Sequence, residues 1–286
     1  MKINSKKIFD VANVLIMLLV ILCTLYPFYY VIVASVSDPE TLSKFTGMLI
    51  LPLQPVTVKA YDVVFSLPLL TSGYMNTIKV LVVGVSVNMF LTILGAYFLT
   101  IEGPIYKNFI TFMVIFTMYF SGGMIPDFLN VRDLGIYNTF WALILPGAIN
   151  TTNLIIMKSG FQAVPNSLTE AAQLDGASYV QILVKVLIPV VKPTIAVLVL
   201  YYGVAHWNAW FNASIYLQNK DLFPIQLVLH NLLTSTNSVQ GMDDMASYVE
   251  LIKYALIIVT TVPILLIYPF IQKYFTKGVM VGAVKG

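Results

Sequence analysis

An all-α, integral-membrane fold of six transmembrane helices is the architecture this sequence predicts, and three observations lead to it. Apolar residues make up 58% of the 286 and charged residues 10%, a balance that leaves a water-soluble domain with too little polar surface to cover its core. Long apolar runs recur along the chain, almost without carboxylates or ammonium groups, and each approaches the roughly twenty residues that cross a bilayer as helix. Between the fourth and fifth runs lies a polar-patterned interval, residues 166–189, whose spacing reads as helix, glycine turn, helix.

The expected spans are 11–33, 77–101, 109–125, 139–157, 193–216 and 254–272. Only Lys79 intrudes, near the start of the second, where a long stem can carry its charge to the interface. Lys2, Lys6 and Lys7 precede the first run, which is too long for a signal-peptide core and lacks a small-residue cleavage site, so it is expected to be retained. With six spans both termini share a side. Lys2, Lys6 and Lys7, then Lys158, Lys185 and Lys192, then Lys273, Lys277 and Lys285 fall on that side. Asp38, Glu40, Asp127, Asp133, Asp221, Asp243 and Asp244 fall on the other. The positive-inside rule therefore predicts a multi-pass plasma-membrane protein with both termini and the interval 159–189 in the cytoplasm.

The connections follow from turn chemistry. Residues 35–74 contain Pro39, Pro52, Pro55 and Pro68 without a sustained helical period, so an external irregular loop with one short helix is expected, either capping the bundle or touching a binding protein. Gly103-Pro104 marks a short cytoplasmic turn between antiparallel helices. Ser121-Gly122-Gly123 before Pro126 marks the outer end of the third run. In 218–249, residues 222–233 fit a short amphipathic helix and 234–244 a polar, turn-rich stretch. No repeat or low-complexity segment interrupts the chain, which is expected to be one membrane domain, 1–286.

Within the polar interval, Ser167 and Glu170 have capping-box spacing after Pro165, so a helix is expected from about 168 to 174. Gly176 is suited to the left-handed residue that closes it. Ser178 and Gln181 repeat the capping-box spacing, and Val180, Leu183, Val184 and Leu187 continue at helical intervals until Pro189, where the run is expected to break. A helix-turn-helix of this size is a knob suited to a partner's cleft.

Glu170-Ala171-Ala172, three residues, Gly176, nine residues, then Val186-Leu187-Ile188-Pro189 resembles the EAA loop of ABC-importer permease subunits. The family pattern ends Ile-x-Leu-Pro, so Val186 and Ile188 are conservative departures. Glu170 to Ser178 in full, Glu-Ala-Ala-Gln-Leu-Asp-Gly-Ala-Ser, is similar to the carbohydrate-uptake branch, close to the maltose-type and lipoprotein/polysaccharide permeases. Asn76-Thr77, Gly122-Gly123-Met124-Ile125-Pro126, Trp207-Asn208-Ala209-Trp210-Phe211-Asn212 and the tail 272–286 extend the resemblance over most of the chain. It implies the type I ABC-importer permease fold, with 159–189 as a coupling loop seated in a cytoplasmic ATPase subunit. Glu170, Ala171, Ala172, Asp175, Gly176 and Ala177 are then the docking residues. It also implies a second permease as heterodimer partner, two ATPase subunits that hold ATP and Mg, and an extracellular solute-binding protein.

No catalytic or metal-binding residue and no cofactor is expected on this chain. His206 and His230 lie on different segments, no His/Cys/carboxylate spacing suits a metal, Cys23 lies alone in an apolar run, and no phosphate-binding glycine loop occurs. The charge of +3 is dispersed, which argues against nucleic acid. A secondary carrier would place an ionisable group inside a span, and these spans carry no carboxylate near their midpoints, which favours ATP-driven transport. Trp207, Asn208, Trp210 and Asn212, beside His206, combine amide hydrogen-bonding groups with aromatic faces, as sugar hydroxyls and C–H faces require. Asn150 and Asn153 form a second polar patch that must face protein or a watery path. The same residue types also serve as interfacial belt and interhelical glue. An oligosaccharide or polysaccharide fragment is the expected solute. A non-sugar solute is the alternative within transport, and an intramembrane enzyme the alternative from another class, for which no paired acids, metal site or Ser/His dyad can be assembled.

Overall fold

The structure is a computed structural model in which residues 5–101, 103, 105–234 and 248–283 are described. Lys2, Glu102, Pro104, the polar stretch 235–247 and residues 284–286 with Lys285 lie outside them. Every regular element among the described residues is helical. The chain divides into two units, Met1–Leu70 with Leu229–Pro263, and Thr71–Val228 with Ile264–Gly286.

The first unit begins with α1, Ser5–Ser35. Its apolar run is long enough to span, and Pro27 sits inside it, as a helix in a membrane tolerates when the freed carbonyl finds another donor. Two short helices follow, α2 (Pro39–Lys44) and α3 (Lys59–Ser66), where one was expected. Asp38 starts α2: its carboxylate accepts from the Thr41 N–H at 2.9 Å and the Thr41 hydroxyl at 2.7 Å, and these bonds hold its pKa below the usual carboxylate range. The irregular stretch between α2 and α3 is pinned by tyrosine and serine side chains. The Tyr26 hydroxyl accepts from the Leu49 N–H at 3.1 Å, the Tyr29 hydroxyl donates to the Ile50 carbonyl, and Ser37 accepts from the Leu53 N–H at 3.1 Å. Side chains 16 to 23 positions away in sequence therefore order this segment, which is why its own residues do not announce a regular structure. The later part of this unit is the start of α14 (Tyr248–Ala283), whose Tyr254 meets Tyr30 edge-on at 6.0 Å.

All but the first three residues of α4, Pro68–Phe98, fall in the second unit, and the helix begins about nine residues before the expected run because Pro68 supplies a ready-made first turn. Then come α5 (Lys107–Tyr119) and α6 (Met124–Asp133), bent from one another by 118° at Gly123, whose φ of +87° requires a residue without Cβ. The expected run 139–157 is not one helix. It is a 3-10 turn, Phe140–Leu143, an unwound stretch through Pro146 and Gly147, and then α7, Thr151–Gln162.

The polar interval becomes α8, Asn166–Leu174, and α9, Tyr179–Gln181, which runs through a π-helical turn, Ile182–Leu187, into α10, Ile188–Val190. The expected break at Pro189 does not occur there. The widened turn, with the Ile188 N–H bonded to the Leu183 carbonyl, relieves the clash a proline ring makes with the carbonyl four residues back. The direction changes instead at Val191, by 84°, into α11, Lys192–Trp207. The expected fifth run is also divided: α11 stops at Asn208, and α12, Trp210–Tyr216, follows after Ala209. The helix expected at 222–233 is observed as α13, Ile225–Thr234.

Among the described residues, three helical stretches are long and apolar enough to cross a bilayer alone, Phe9–Ser35, Pro68–Phe98 and Tyr248–Ile267, and the pairs α5 with α6 and Tyr179–Val190 with α11 qualify when each bent pair is taken together. The main buried cluster of the second unit runs from Met89, Ala96 and Leu99 on α4 through Leu154, Met157 and Phe161 on α7 to Ile182, Leu183 and Leu187 in the π turn and Leu198 on α11. It holds α8 through α10 against the ends of α4 and α7.

Candidate functional site

The knob is built from local bonds. Gly176 has φ +78°, a conformation costly to any residue with a Cβ, and it allows two closing bonds. The Ala177 N–H reaches the Ala172 carbonyl at 2.9 Å and the Gly176 N–H reaches the Gln173 carbonyl at 3.0 Å, which together form a Schellman closure. Two residues later a second helix starts. The Ser178 N–H donates to Gln181 Oε1 at 2.8 Å and the Gln181 N–H donates to the Ser178 hydroxyl at 3.4 Å, the reciprocal box that the spacing predicts. The other expected box is absent. Pro165, extended at ψ 131°, is the residue before α8, so Ser167 lies inside the first turn and Glu170 lies too far along to reach back. Glu170 is therefore an exposed carboxylate on the knob, without a capping role.

Of the expected docking residues, Glu170, Ala171, Asp175 and Gly176 are exposed, and Ala172 and Ala177 are half-buried against the main cluster. A Cβ at Gly176 would meet nothing within 4 Å, so the space beside it is open to a partner. Leu174, which sequence reasoning passed over, is 89% exposed beside Asp175-Gly176, and Val180 is 68% exposed. An apolar side chain at the tip of a polar knob is the signal that could have singled Leu174 out. Behind the knob is a cavity of about 620 Å³ whose walls include Tyr97, Lys107, Phe161, Asn166, Glu170 and Tyr179. The Tyr97 hydroxyl donates to the Tyr179 carbonyl at 2.9 Å, and Lys107 Nζ donates to the Thr100 and Ile101 carbonyls at 3.2 and 2.8 Å, closing the end of α4.

The expected path residues of the fifth run do not lie on one continuous helix. Trp207 is buried at the end of α11. Asn208 is exposed in the break, where its Nδ2 donates to the Val204 carbonyl at 3.1 Å, a second bond to a carbonyl that also accepts from the Asn208 backbone N–H. Trp210 and Asn212 are exposed on α12, with the Trp210 ring edge-on to Phe211 at 5.7 Å. Asn150 caps α7 by accepting from the Asn153 N–H at 3.0 Å, and Asn153 is itself buried. No one helix carries all four of Trp207, Asn208, Trp210 and Asn212, because α11 ends at Trp207 and α12 starts at Trp210.

A polar set that sequence reasoning left out lies just behind. Asn88 on α4 bonds to His206 on α11, Thr92 on α4 bonds to Tyr202 on α11, and Tyr202 accepts from the Asn150 N–H at 3.1 Å. Asn88 and Thr92 stand four residues apart inside an apolar run, which marks one polar stripe on the helix. In the N-terminal part of α4, Asn76 donates to the Asp221 and Phe223 carbonyls at 2.6 and 3.2 Å, and the Thr77 hydroxyl accepts from the Ile225 N–H at 2.9 Å. The Asn76-Thr77 pair thus fixes the start of α13.

A family model described as "Binding-protein-dependent transport system inner membrane component" matches residues 11–281. The chain belongs to this permease family. It is 40% identical over 289 residues to the "Polygalacturonan/rhamnogalacturonan transport system permease protein YtcP" of Bacillus subtilis (strain 168), covering 99% of this chain and 100% of the relative. It is also 40% identical over 290 residues to "Protein LplC" of the same organism, covering 99% and 97%. Among solved structures it matches the "Crystal structure of a bacterial ABC transporter involved in the import of the acidic polysaccharide alginate", with TM-score 0.90, 32% identity and coverage of 96% of this chain and 99% of that one. The expected ABC-importer permease family and its all-α type I fold are thereby established, and the chain is a multi-pass membrane permease subunit.

Proposed function

We propose that this chain is one of two permease subunits enclosing the path of an ATP-driven importer for an oligosaccharide or polysaccharide fragment. The observation that carries the reading is the end-to-end, 40% identity to a permease named for polygalacturonan and rhamnogalacturonan transport. The polysaccharide-importing structural neighbour adds support. In this reading the knob from α8 to α10 seats in a cytoplasmic ATPase subunit through Glu170, Ala171, Ala172, Asp175, Gly176 and Ala177, with Leu174 as the apolar tip. ATP and Mg act on the ATPase pair, a solute-binding protein delivers sugar from outside, and both termini lie in the cytoplasm. Asn208, Trp210 and Asn212, exposed at the α11–α12 break, offer amide and ring faces to the solute, with Trp207 as the buried support, and Asn150 and Asn153 shape the path at the start of α7. The test is ATP hydrolysis by the reconstituted complex with its binding protein, screened over neutral and uronate oligosaccharides and non-sugar solutes. Stimulation by an oligosaccharide is expected, and stimulation by a non-sugar solute alone would replace the sugar reading.

A further inference from the structure

An unwound backbone can lie within a membrane protein only where protein or water satisfies its N–H and C=O groups. For the stretch 144–150 that partner is a set of side chains from two other helices. Asn88, fully buried on α4, directs Nδ2 at the Gly147 carbonyl at 3.0 Å and the Ala148 carbonyl at 2.8 Å. Two carbonyls around one atom identify it as the amide nitrogen, so Oδ1 is the atom that meets His206 Nε2 at 2.7 Å, and His206 carries its hydrogen on Nε2. One turn further along both helices, the Thr92 and Tyr202 hydroxyls meet at 2.7 Å and Tyr202 accepts from the Asn150 N–H. Residues 88 and 92 on α4 pair with 206 and 202 on α11, so the two rungs form an antiparallel ladder, and each rung also holds the unwound stretch. Gly84, one turn before Asn88, leaves the room: a Cβ there would stand 2.7 Å from His206 Nε2. His206 lies two residues before the break at Asn208, so one pair joins the interruption in α11 to the interruption before α7.

We propose that Asn88 and His206 are a positioning pair for transport. They fix the unwound stretch 144–150, and with it the polar start of α7, against α4 and α11, so that two broken helices present their polar residues to the path in one geometry. The inference rests on the reading of this chain as a path-forming permease. Neither residue needs to touch solute. Removing the pair leaves the Gly147 and Ala148 carbonyls to water, which loosens the stretch and lets solvent reach it.

The test uses the assembled complex in lipid nanodiscs, in a Cys23→Ser background, with Ile144→Cys, at a fully buried position of the unwound stretch, as reporter and a membrane-impermeant maleimide as probe. Asn88→Leu and His206→Phe are expected to raise the labelling rate on the order of tenfold, the factor that one or two lost hydrogen bonds amount to. Solute moved per ATP hydrolysed should fall by a similar factor while hydrolysis persists. His206→Gln, whose amide nitrogen takes the place of Nε2, should stay within about twofold of the parent in both readouts. Unchanged labelling in an assembled Asn88→Leu or His206→Phe complex would overturn the proposal, as would His206→Gln failing as fully as His206→Phe. If Asn88→Leu does not assemble, the comparison of His206→Gln with His206→Phe decides. Labelling needs no solute, so a parent complex that transports no oligosaccharide would sink the sugar reading and leave this result standing.

Discussion

Gly176 is the residue at which backbone conformation and partner access meet. Its φ of +78° would cost a β-branched residue about 1–2 kcal/mol, yet the space where a Cβ would go is empty. Gly176→Val should therefore leave the protein in the membrane but release the ATPase or uncouple transport. Gly176→Asn, which tolerates the left-handed region, should retain more of both, as pull-down of the ATPase subunit measures; equal retention in both variants would remove Gly176 from the docking role. Asn208 carries a separate prediction. Its bond to the Val204 carbonyl and any bond to solute are each worth about 0.5–1.5 kcal/mol net, so Asn208→Ala should weaken uptake several-fold without dissociating the complex. Trp210→Ala should do likewise through lost contact area, while Leu200→Ile should be tolerated. Full uptake by the assembled Asn208 and Trp210 variants would make these residues packing groups only.

At the scale of elements, the knob was legible because its signals are local. Ser178 and Gln181 cap a helix from three residues apart, and the turn at Gly176 closes one with bonds that span five and three residues. What was not legible came from farther away or from backbone width. The Pro189 break was expected because a proline in a helix normally ends it, and the π turn that accommodates the ring leaves no mark in residue spacing. The fourth run reads as one helix, yet its middle, 144–150, is unwound, with the Gly147 and Ala148 carbonyls satisfied by Asn88, 59 and 60 positions away in sequence. The fifth was expected to be one continuous span, and the stop at Asn208 divides its tryptophans and asparagines between α11, the break and α12. Two element-scale outcomes follow. Ser178→Ala should cost the second helix of the knob about 1 kcal/mol, read as a lower melting temperature of the purified complex, and an unchanged midpoint would mean the box adds nothing. Leu174→Glu, at an 89% exposed position, should fold normally yet reduce ATPase retention; retained association would show that the apolar tip is not part of the contact.

For the whole molecule, composition and hydropathy alone indicated a membrane protein, and the EAA-type spacing pointed to its family before any coordinate. The resemblance covered the chain because Asn76-Thr77 and the Trp-Asn stretch lie far from the knob. In the structure the first pair holds the start of α13, and the Trp-Asn stretch surrounds the helix break. Orientation rests on the lysines. With Lys285→Cys in a Cys23→Ser background, labelling by an impermeant reagent should occur only after the cells are permeabilised, and labelling of intact cells would reverse the topology. The central claim concerns the solute, and uptake tests it most directly: labelled uronate and neutral oligosaccharides supplied with binding protein to proteoliposomes that contain both permeases, with ATP and Mg on the ATPase side. The account predicts ATP-dependent accumulation of at least one oligosaccharide, abolished when the ATPase is released by Gly176→Val. A complex that hydrolyses ATP and accumulates a non-sugar solute, while no oligosaccharide enters, would contradict it.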